Sequence, residues 1–289
     1  MDVNGDGHTD ILSGSYSRME RDMAGLFQVL YGSESGFRKA EPLSGDDGEL
    51  LIITSPGDDQ DVDRICTRPT AVDLDGDGRL EIVSGNFTGT FALFAGHGEG
   101  KFAATSSMLT DTDGELLRVP AHSDPFFVDW DADGDLDLLS GSGQGGVFLF
   151  RNVGSKSKAS FGPQEILMQA KGYEAAGLTF GDEHIQLPQT STRVWADDLD
   201  GDGKLDLLVG DSVTLSYPAE GLSEAEATER YEAWEERQQE LMKVRMETEG
   251  EPDEAELEQW QEAMQKVWEE RETIIRSEMT GFVWVLYQK

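Results

Sequence analysis

Four short acidic segments recur along the chain, and their residue types suit the binding of a hard metal ion. Oxygen-bearing side chains stand at positions 1, 3, 5 and 9 of each segment, and a glycine stands at position 6. Hard cations prefer such carboxylate and amide oxygens to nitrogen or sulfur ligands. The segments start at residues 2, 73, 129 and 198 and read DVNGDGHTD, DLDGDGRLE, DWDADGDLD and DLDGDGKLD.

The spacing within each segment favours calcium. The glycine at position 6 permits the positive φ of a sharp turn. Such a turn gathers the side chains of positions 1, 3 and 5, directs the carbonyl of position 7 inward and adds a carboxylate from position 9. Six or seven oxygens at about 2.3–2.6 Å suit calcium better than magnesium. Position 7 varies in type, as a backbone ligand allows, and is His8, Arg79, Asp135 or Lys204.

Two simpler interpretations fit these segments less well. Asp–Gly-rich turns are common without any metal, but four copies with oxygen ligands at the same offsets favour a metal site. An EF-hand needs a glutamate at position 12 between two helices, whereas position 12 is Ser13, Ser84, Ser140 or Val209. Carboxylates held this close repel one another without a cation. We therefore expect structural calcium, with loops that are loose without the metal and locked with it.

Each acidic segment leads into a short apolar strand that ends in glycine, and β-prone stretches flank it on both sides. The apolar strands read ILSG, IVSG, LLSG and LLVG. A strand, an acidic turn and two or three further strands, repeated four times, are typical of propeller blades. The sequence thus predicts an all-β fold, a β-propeller with four recognisable blades. The flanking strands are predicted at 69–73, 125–129 and 193–198, at 25–31, 89–95, 146–150 and 281–287, and at 37–43, 101–109 and 161–168.

The fourth repeat contains an insertion before its third strand. Its composition changes to Glu, Gln, Ala, Arg and Trp, with apolar residues at helical spacing. Residues 223–226 and 253–256 have the pattern of capping boxes, and 250–252 separates the two helical stretches. We predict blades over 1–218, an inserted α-helical hairpin over 219–280 and a final propeller strand over 281–289. The tryptophans of the hairpin are expected to form its core or, alternatively, a partner-binding face; they are Trp234, Trp260 and Trp268.

The acidic turn followed by a glycine–aromatic strand resembles the FG-GAP/VCBS repeat of integrin-α-type propellers and of many bacterial surface and secreted proteins. The resemblance covers residues 1–210 and 281–289. It implies a propeller that holds up to four Ca²⁺ ions. The metal ligands that it implies are Asp2, Asn4, Asp6 and Asp10; Asp73, Asp75, Asp77 and Glu81; Asp129, Asp131, Asp133 and Asp137; and Asp198, Asp200, Asp202 and Asp206. Glu81 and Ala132 depart from the usual aspartate and glycine, so we expect the second and third sites to be altered.

Charge and motifs exclude several classes of protein. The 58 acidic residues outnumber the 23 basic ones, for a formal net charge of −35, which repels nucleic acids and anionic membranes. Cys66 is the single cysteine, so no intrachain disulfide forms. No apolar stretch approaches the roughly 20 residues of a membrane-spanning helix. The sequence contains no GxSxG, HExxH or Walker motif, and GSGQGG at 141–146 precedes a strand rather than a helix.

These features predict a non-enzymatic calcium-binding propeller that binds a protein or a cell-surface glycan, as in cell adhesion. Weak loop sites fill at millimolar external calcium, so we expect the protein to be secreted or held at the cell surface. We interpret the absent signal peptide and the absent first strand as an N-terminal truncation of a larger propeller. No membrane insertion and no nucleic-acid partner are expected.

Two alternatives remain open at this point. The first is a carbohydrate-active enzyme that resembles propeller polysaccharide lyases, and the second is a purely structural module of a larger secreted protein. A lyase needs a basic or tyrosine side chain in a cleft beside a metal position. The sequence marks no such cluster, and its four histidines, which we expect in turns or at the surface, are His8, His97, His122 and His184.

Overall fold

A computed structural model describes residues 1–16, 25–54, 64–170, 178, 180–247 and 254–289. The chain divides into two compact units. The first unit comprises Met1–Gly172, Leu187–Ser212 and Phe282–Lys289, and the second comprises Tyr173–Gln186 and Val213–Gly281.

The first unit is a four-bladed β-propeller built from antiparallel sheets, which confirms the predicted fold class. The strands of the chain are, in order, β1 (Ile11–Ser13), β2 (Gln28–Leu30), β3 (Glu41–Pro42), β4 (Arg68–Val72), β5 (Glu81–Gly85), β6 (Phe91–Phe94), β7 (Gly96–Gly98), β8 (Lys101–Phe102), β9 (Ser107–Met108), β10 (Asp124–Val128), β11 (Asp137–Gly141), β12 (Val147–Phe150), β13 (Glu165–Met168), β14 (Thr190–Asp197), β15 (Asp206–Pro218), β16 (Ile275–Thr280) and β17 (Val283–Leu286).

The blades repeat one strand order and one register. Blade 1 contains β1–β3, blade 2 contains β4, β5, β6 and β9, blade 3 contains β10–β13, and blade 4 contains β14, β15 and β17, while β7 and β8 pair separately. The innermost strands are β4, β10 and β14, and β10 contacts both of the others. Three residues occupy the same register position in these strands, since Arg68 pairs with Gly85, Asp124 with Gly141 and Arg193 with Gly210.

The core of the propeller lies between successive blades. Neighbouring residues of a strand point to opposite faces of its sheet, so the paired apolar residues of the second strands in blades 2 and 3 serve two cores. Ile82 packs in the cluster shared with blade 1, and Val83 packs in the cluster shared with blade 3. Leu138 and Leu139 divide in the same way between the blade 2 and blade 4 sides. The apolar runs of the second and third repeats are therefore buried on both faces.

In blades 1, 2 and 3, the glycine that follows or ends the strand after the acidic loop allows the next blade to approach. A Cβ atom on Gly85 would lie 2.1 Å from the carbonyl oxygen of Ser123, and one on Gly141 would lie 2.1 Å from that of Thr192. Gly14 has the same relation to Thr67, at 1.8 Å. These distances are far inside van der Waals contact, so only glycine fits.

A repeated pair of hydrogen bonds fixes each of these junctions. The N–H of Asn86 donates to Oγ of Ser123 at 3.0 Å, and the N–H of Ser123 donates back to the carbonyl oxygen of Asn86 at 3.1 Å. Ser15 is joined to Thr67, and Ser142 to Thr192, by the same two bonds. The Ser-Gly sequence at the end of the second strand is thus followed by the residue that locks one blade to the next.

The outermost strands are shorter than predicted. Of the predicted range 101–109, only Ser107–Met108 pairs with β6, while Lys101–Phe102 forms β8 and pairs with β7. The strand predicted at 161–168 is Glu165–Met168, and the one predicted at 37–43 is Glu41–Pro42. An outer strand bonds to one neighbour and is exposed on its other edge, so its residues are under weaker constraint than those of the buried strands.

The second unit contains the helices α1 (Glu224–Glu247) and α2 (Glu254–Glu272), which contact each other. The capping box at 223–226 is confirmed, because the N–H of Ser223 donates to Oε2 of Glu226 at 2.9 Å and the N–H of Glu226 donates to Oγ of Ser223 at 3.3 Å. The second capping box rests on Asp253, which lies outside the described residues, as do residues 250–252. Within the predicted hairpin range, 275–280 form β16, which pairs with residues 213–218 of β15.

The three tryptophans of the hairpin differ in burial. Trp234 is 3% exposed, its Nε1 donates to the carbonyl oxygen of Val267 at 2.6 Å, and it lies in the apolar cluster of the unit. Nε1 of Trp260 donates to the carbonyl oxygen of Leu241 at 3.4 Å. Trp268 is 48% exposed. The hairpin core therefore includes Trp234, while Trp268 lies at the surface. Among the described residues, neither helix is long and apolar enough to cross a membrane.

Candidate metal centres

The four acidic loops share one backbone conformation. Each follows an innermost strand or, in the first copy, precedes β1, and each has its position-6 glycine at positive φ, as predicted. The φ angles are 88° at Gly7, 85° at Gly78, 98° at Gly134 and 88° at Gly203. Position 4 is also left-handed: Ala132 adopts φ 61° where the other loops have glycine. The third loop thus keeps the common shape, at the cost of strain at Ala132.

The carboxylates of positions 1 and 5 organise the turn itself. Position 1 accepts a hydrogen bond from the N–H of the position-6 glycine, and position 5 accepts one from the N–H of position 7. The first set of distances is 2.8 Å at Asp2, 3.1 Å at Asp73, 3.1 Å at Asp129 and 3.0 Å at Asp198. The second set is 3.0 Å at Asp6, 2.8 Å at Asp77, 3.1 Å at Asp133 and 2.9 Å at Asp202.

The position-9 carboxylate is buried and joins the loop to the third strand of its blade. One oxygen of Asp137 accepts from the N–H of Trp130 in the loop at 3.0 Å, and the other accepts from the N–H of Asn152, just after β12, at 2.7 Å. The same two kinds of bond are made in every blade. The acceptors and their donors are Asp10 with Val3 and Gly32, Glu81 with Leu74 and Gly96, and Asp206 with Leu199 and Gln288.

Positions 1, 3 and 9 bring carboxylate oxygens together in three of the loops. In each of these sets, one oxygen from every member lies within 4.8 Å of the others, and the position-9 member is buried. In the first loop position 3 is Asn4, which supplies an amide oxygen instead. The sets are Asp73, Asp75 and Glu81; Asp129, Asp131 and Asp137; and Asp198, Asp200 and Asp206.

The position-5 carboxylates are not members of these three sets. Besides accepting the position-7 N–H, Asp77 pairs with the guanidinium of Arg79, and Oδ2 of Asp202 lies 3.7 Å from Nζ of Lys204. The predicted ligand roles of position 5, and of the position-7 carbonyls, stay predictions. The sequence predicts all these carboxylates as metal ligands; in the fold, positions 1 and 5 also accept hydrogen bonds within the turn, and position 9 also accepts them from the loop and the third strand.

Burial raises the pKa of two position-9 carboxyls, those of Glu81 and Asp137. Burial raises the pKa of the Glu81 carboxyl, which the N–H of Leu74 opposes and Asp75 reinforces. Burial also raises the pKa of Asp137, although the N–H groups of Asn152 and Trp130 act against the rise. A raised carboxyl pKa means that the negative charge is disfavoured where it stands. A bound cation would relieve that penalty.

The second loop contains an atom that fits a cation ligand. Oδ1 of Asp73 is buried and has no hydrogen-bond partner among the described residues. Buried polar atoms without a partner are rare in proteins, and an ion accounts for some of them. In the third loop, by contrast, Nη1 of Arg151 donates to Oδ2 of Asp131 at 2.8 Å. A cation at that loop would share Asp131 with the arginine.

Comparison with known families identifies part of the chain. Residues 129–209 match the model of the FG-GAP-like repeat. These residues are an FG-GAP-like repeat segment. The segment begins at the third acidic loop and ends in β15, after the fourth, so the predicted family resemblance is confirmed there. The first two loops show the same hydrogen bonds as the FG-GAP-like segment.

Among solved structures, a chain of the Photorhabdus luminescens Tc holotoxin pore is similar to this one, with 20% identity and a TM-score of 0.36. The match covers 64% of this chain and 7% of that chain. The protein thus spans a small fraction of the length of that relative. No curated protein matches the chain.

Proposed function

We propose that the chain is a calcium-stabilised propeller that acts as a non-enzymatic binding module outside the cell, for a protein or a cell-surface glycan. One observation carries the calcium part: three sets of carboxylate oxygens converge at equivalent places of three blades. Calcium bound there is structural, because each set includes the buried residue that ties the loop to the third strand. Oxygen-only ligands suit calcium, and the FG-GAP-like match over 129–209 supports the same family of propellers.

The proposal that the protein acts outside the cell rests on the calcium affinity of such loops and on the net charge of the chain. Loop sites of this kind bind at about 10⁻⁴–10⁻³ M calcium in extracellular modules, and they are mostly empty at cytosolic concentrations. A net charge of −35 destabilises a compact chain by self-repulsion. Bound calcium lowers that charge where it is most concentrated. The propeller is then most stable where calcium is abundant.

The test is thermal unfolding with calcium and with excess chelator, together with a count of bound ions. We expect three or four ions per chain, given three carboxylate sets and four loops. Each site adds about 2.7 kcal/mol of stability at a calcium concentration 100-fold above its Kd, so Tm should rise strongly.

Matched variants make this test specific to the loops. Asp200→Asn should remove one ion and part of the Tm rise. Glu262→Gln, an equal charge change at an exposed site on α2, should leave both unchanged. A metal-free protein whose Tm does not respond to calcium would refute the proposal.

A second candidate function is supported by one specific observation. A cleft of about 520 Å³ beside the second loop is lined by Asp75, Arg79, Glu81 and His97. Nδ1 of His97 lies 3.2 Å from Oδ2 of Asp46, an arrangement that orients an imidazole for use as a base. Such a cluster would serve a polysaccharide lyase: the base takes the proton α to a uronate carboxyl, the C–O bond to the leaving sugar breaks as water supplies a proton to the leaving oxygen, and a C=C bond forms.

Lyase activity would release an unsaturated sugar that absorbs ultraviolet light. Incubation with polyuronates and calcium should give that absorbance with the natural chain and not with His97→Ala. If neither protein produces it, the non-enzymatic proposal stands.

A further inference from the structure

The starting ends of the innermost strands carry a cationic cluster in a chain that is otherwise acidic. Arg68, Asp124 and Arg193 occupy one register position in three successive blades, all within the first unit. The acidic loops follow the other ends of the same strands. The two ends of the innermost strands therefore differ in the sign of their charge.

The cluster contains two guanidinium groups and one carboxylate, and the carboxylate pairs with Arg193. Nε of Arg193 lies 3.2 Å from Oδ2 of Asp124, and Nη1 of Arg68 donates to the carbonyl oxygen of His122 at 3.2 Å. Among the described residues, no other carboxylate pairs with either arginine. Burial lowers the pKa of Arg68, and the charge of Arg193 lowers it further. The cluster thus has one positive charge in excess, partly removed from water, and an anion placed there would be attracted strongly.

In each of the three blades, a residue with a strained backbone conformation lies just before the cluster. Cys66, His122 and Ser191 each lie two residues before the register position of the cluster, and their φ angles are 56°, 45° and 51°. Non-glycine residues avoid this left-handed region, and where they adopt it the strain often accompanies a functional site. Nε2 of His122 is also buried without a hydrogen-bond partner among the described residues. In all three blades, the residue two positions before the cluster has an uncommon backbone conformation.

An exposed aromatic ring stands next to the arginines. Trp195 is two residues after Arg193, on the same face of β14, and it is 57% exposed. Its ring centroid lies 4.9 Å from that of Phe126, which follows Asp124 by two residues in β10. Phe126 packs in the blade 3–blade 4 core and so fixes one side of the indole. More than half of the Trp195 side chain is exposed, and aromatic residues exposed in this way are common at binding surfaces.

We propose that Arg68, Arg193 and Trp195 form a binding site for an acidic sugar. The guanidinium groups receive the carboxylate of a uronate residue, for which their planar donor pairs are matched, and the indole stacks on the sugar ring. One excess positive charge suits a single carboxylate. The inference rests on the glycan branch of the proposed function and names its ligand class, but it does not depend on calcium in the loops.

The experiment measures the Kd of a glucuronate-containing hexasaccharide by calorimetry, with its carboxyl-reduced form as the neutral control. Hydrogen bonds to charged groups contribute about 1.5–3 kcal/mol, so Arg193→Gln should weaken binding by about tenfold or more. Trp195→Ala should weaken it similarly, and the neutral sugar should bind poorly. Arg193 is suitable for the test because its side chain is 44% exposed and its loss leaves the blade cores intact.

Arg237→Gln, which removes an exposed guanidinium paired with Glu270 in the second unit, should bind like the natural chain. Failure of the hexasaccharide to bind, equal Kd values for Arg193→Gln and the natural chain, or tighter binding of a tetraglutamate peptide would overturn the inference. Measuring with calcium and with chelator separates the two proposals. If the protein binds the sugar but binds no calcium when calcium is supplied, only the calcium proposal is contradicted. If it binds calcium but not the sugar, only this inference is contradicted.

Discussion

Replacement of Gly141 by alanine is expected to destabilise the propeller by about 3 kcal/mol, near the upper end of what overpacking costs. The added methyl group would lie 2.1 Å from the carbonyl oxygen of Thr192, and that oxygen belongs to a strand held by the two junction hydrogen bonds. Neither side can move without opening the core between blades 3 and 4. The measurement is the free energy of unfolding in denaturant, with calcium present.

Gly210 provides a matched control, because it occupies the same register position in blade 4. A Cβ there would meet only Cβ of Arg193, at 3.9 Å. Gly210→Ala should therefore change stability by less than about 1 kcal/mol and, by stiffening the unfolded chain, could even raise it. If the two alanine variants are equally stable, the close approach of the blades is not what selects glycine at Gly141.

Replacement of Asp137 by alanine is expected to cost about 2–6 kcal/mol even when calcium is chelated. The change leaves the buried N–H of Asn152 and the part-buried N–H of Trp130 without an acceptor, and each such loss costs about 1–3 kcal/mol. It also disconnects the third loop from the strand behind it. Unfolding of the chelated protein measures this structural part by itself.

Asp131→Asn serves as the comparison within the same loop. Asp131 belongs to the same carboxylate set, but its side chain is 36% exposed and its contact is with Arg151. We expect this variant to lose calcium affinity in the third loop while the chelated protein keeps nearly the stability of the natural chain. A chelated Asp137→Ala protein as stable as chelated Asp131→Asn would contradict the structural role of position 9.

The propeller was predictable because the same motif, an acidic turn followed by a short apolar strand, occurs four times in the sequence. A glycine at position 6, such as Gly78 or Gly203, marks the turn in every copy, and the short apolar run that follows it reads as a strand because the pattern occurs four times. Positions 1, 3 and 9 were predicted together, and the fold does bring their oxygens close in three loops. Local spacing sufficed for these features because all their atoms lie within nine residues.

The features that escaped prediction depend on distant residues. The second partner of Asp137 is the N–H of Asn152, and no side-chain pattern marks a backbone donor. Arg68 and Arg193 approach Asp124 through blade geometry, which cannot be read from their separation along the chain. β16 was missed because IRSEMT carries alternating charges and resembles the helical stretch before it. Its partner, residues 213–218, extends a strand that was expected to end near Gly210.

The hydrogen bond from the N–H of Gln288 to Asp206 affects the order in which the blades fold. It closes a loop of 82 residues, whereas the equivalent bond between Asp137 and Asn152 closes one of 15. The longer closure costs about 1.5 kcal/mol more in chain entropy, and contacts so distant in sequence form late. Blade 3 can assemble from its own hairpins, but blade 4 must wait until the whole inserted segment has been made. The inserted helices thus delay the completion of blade 4 relative to blade 3.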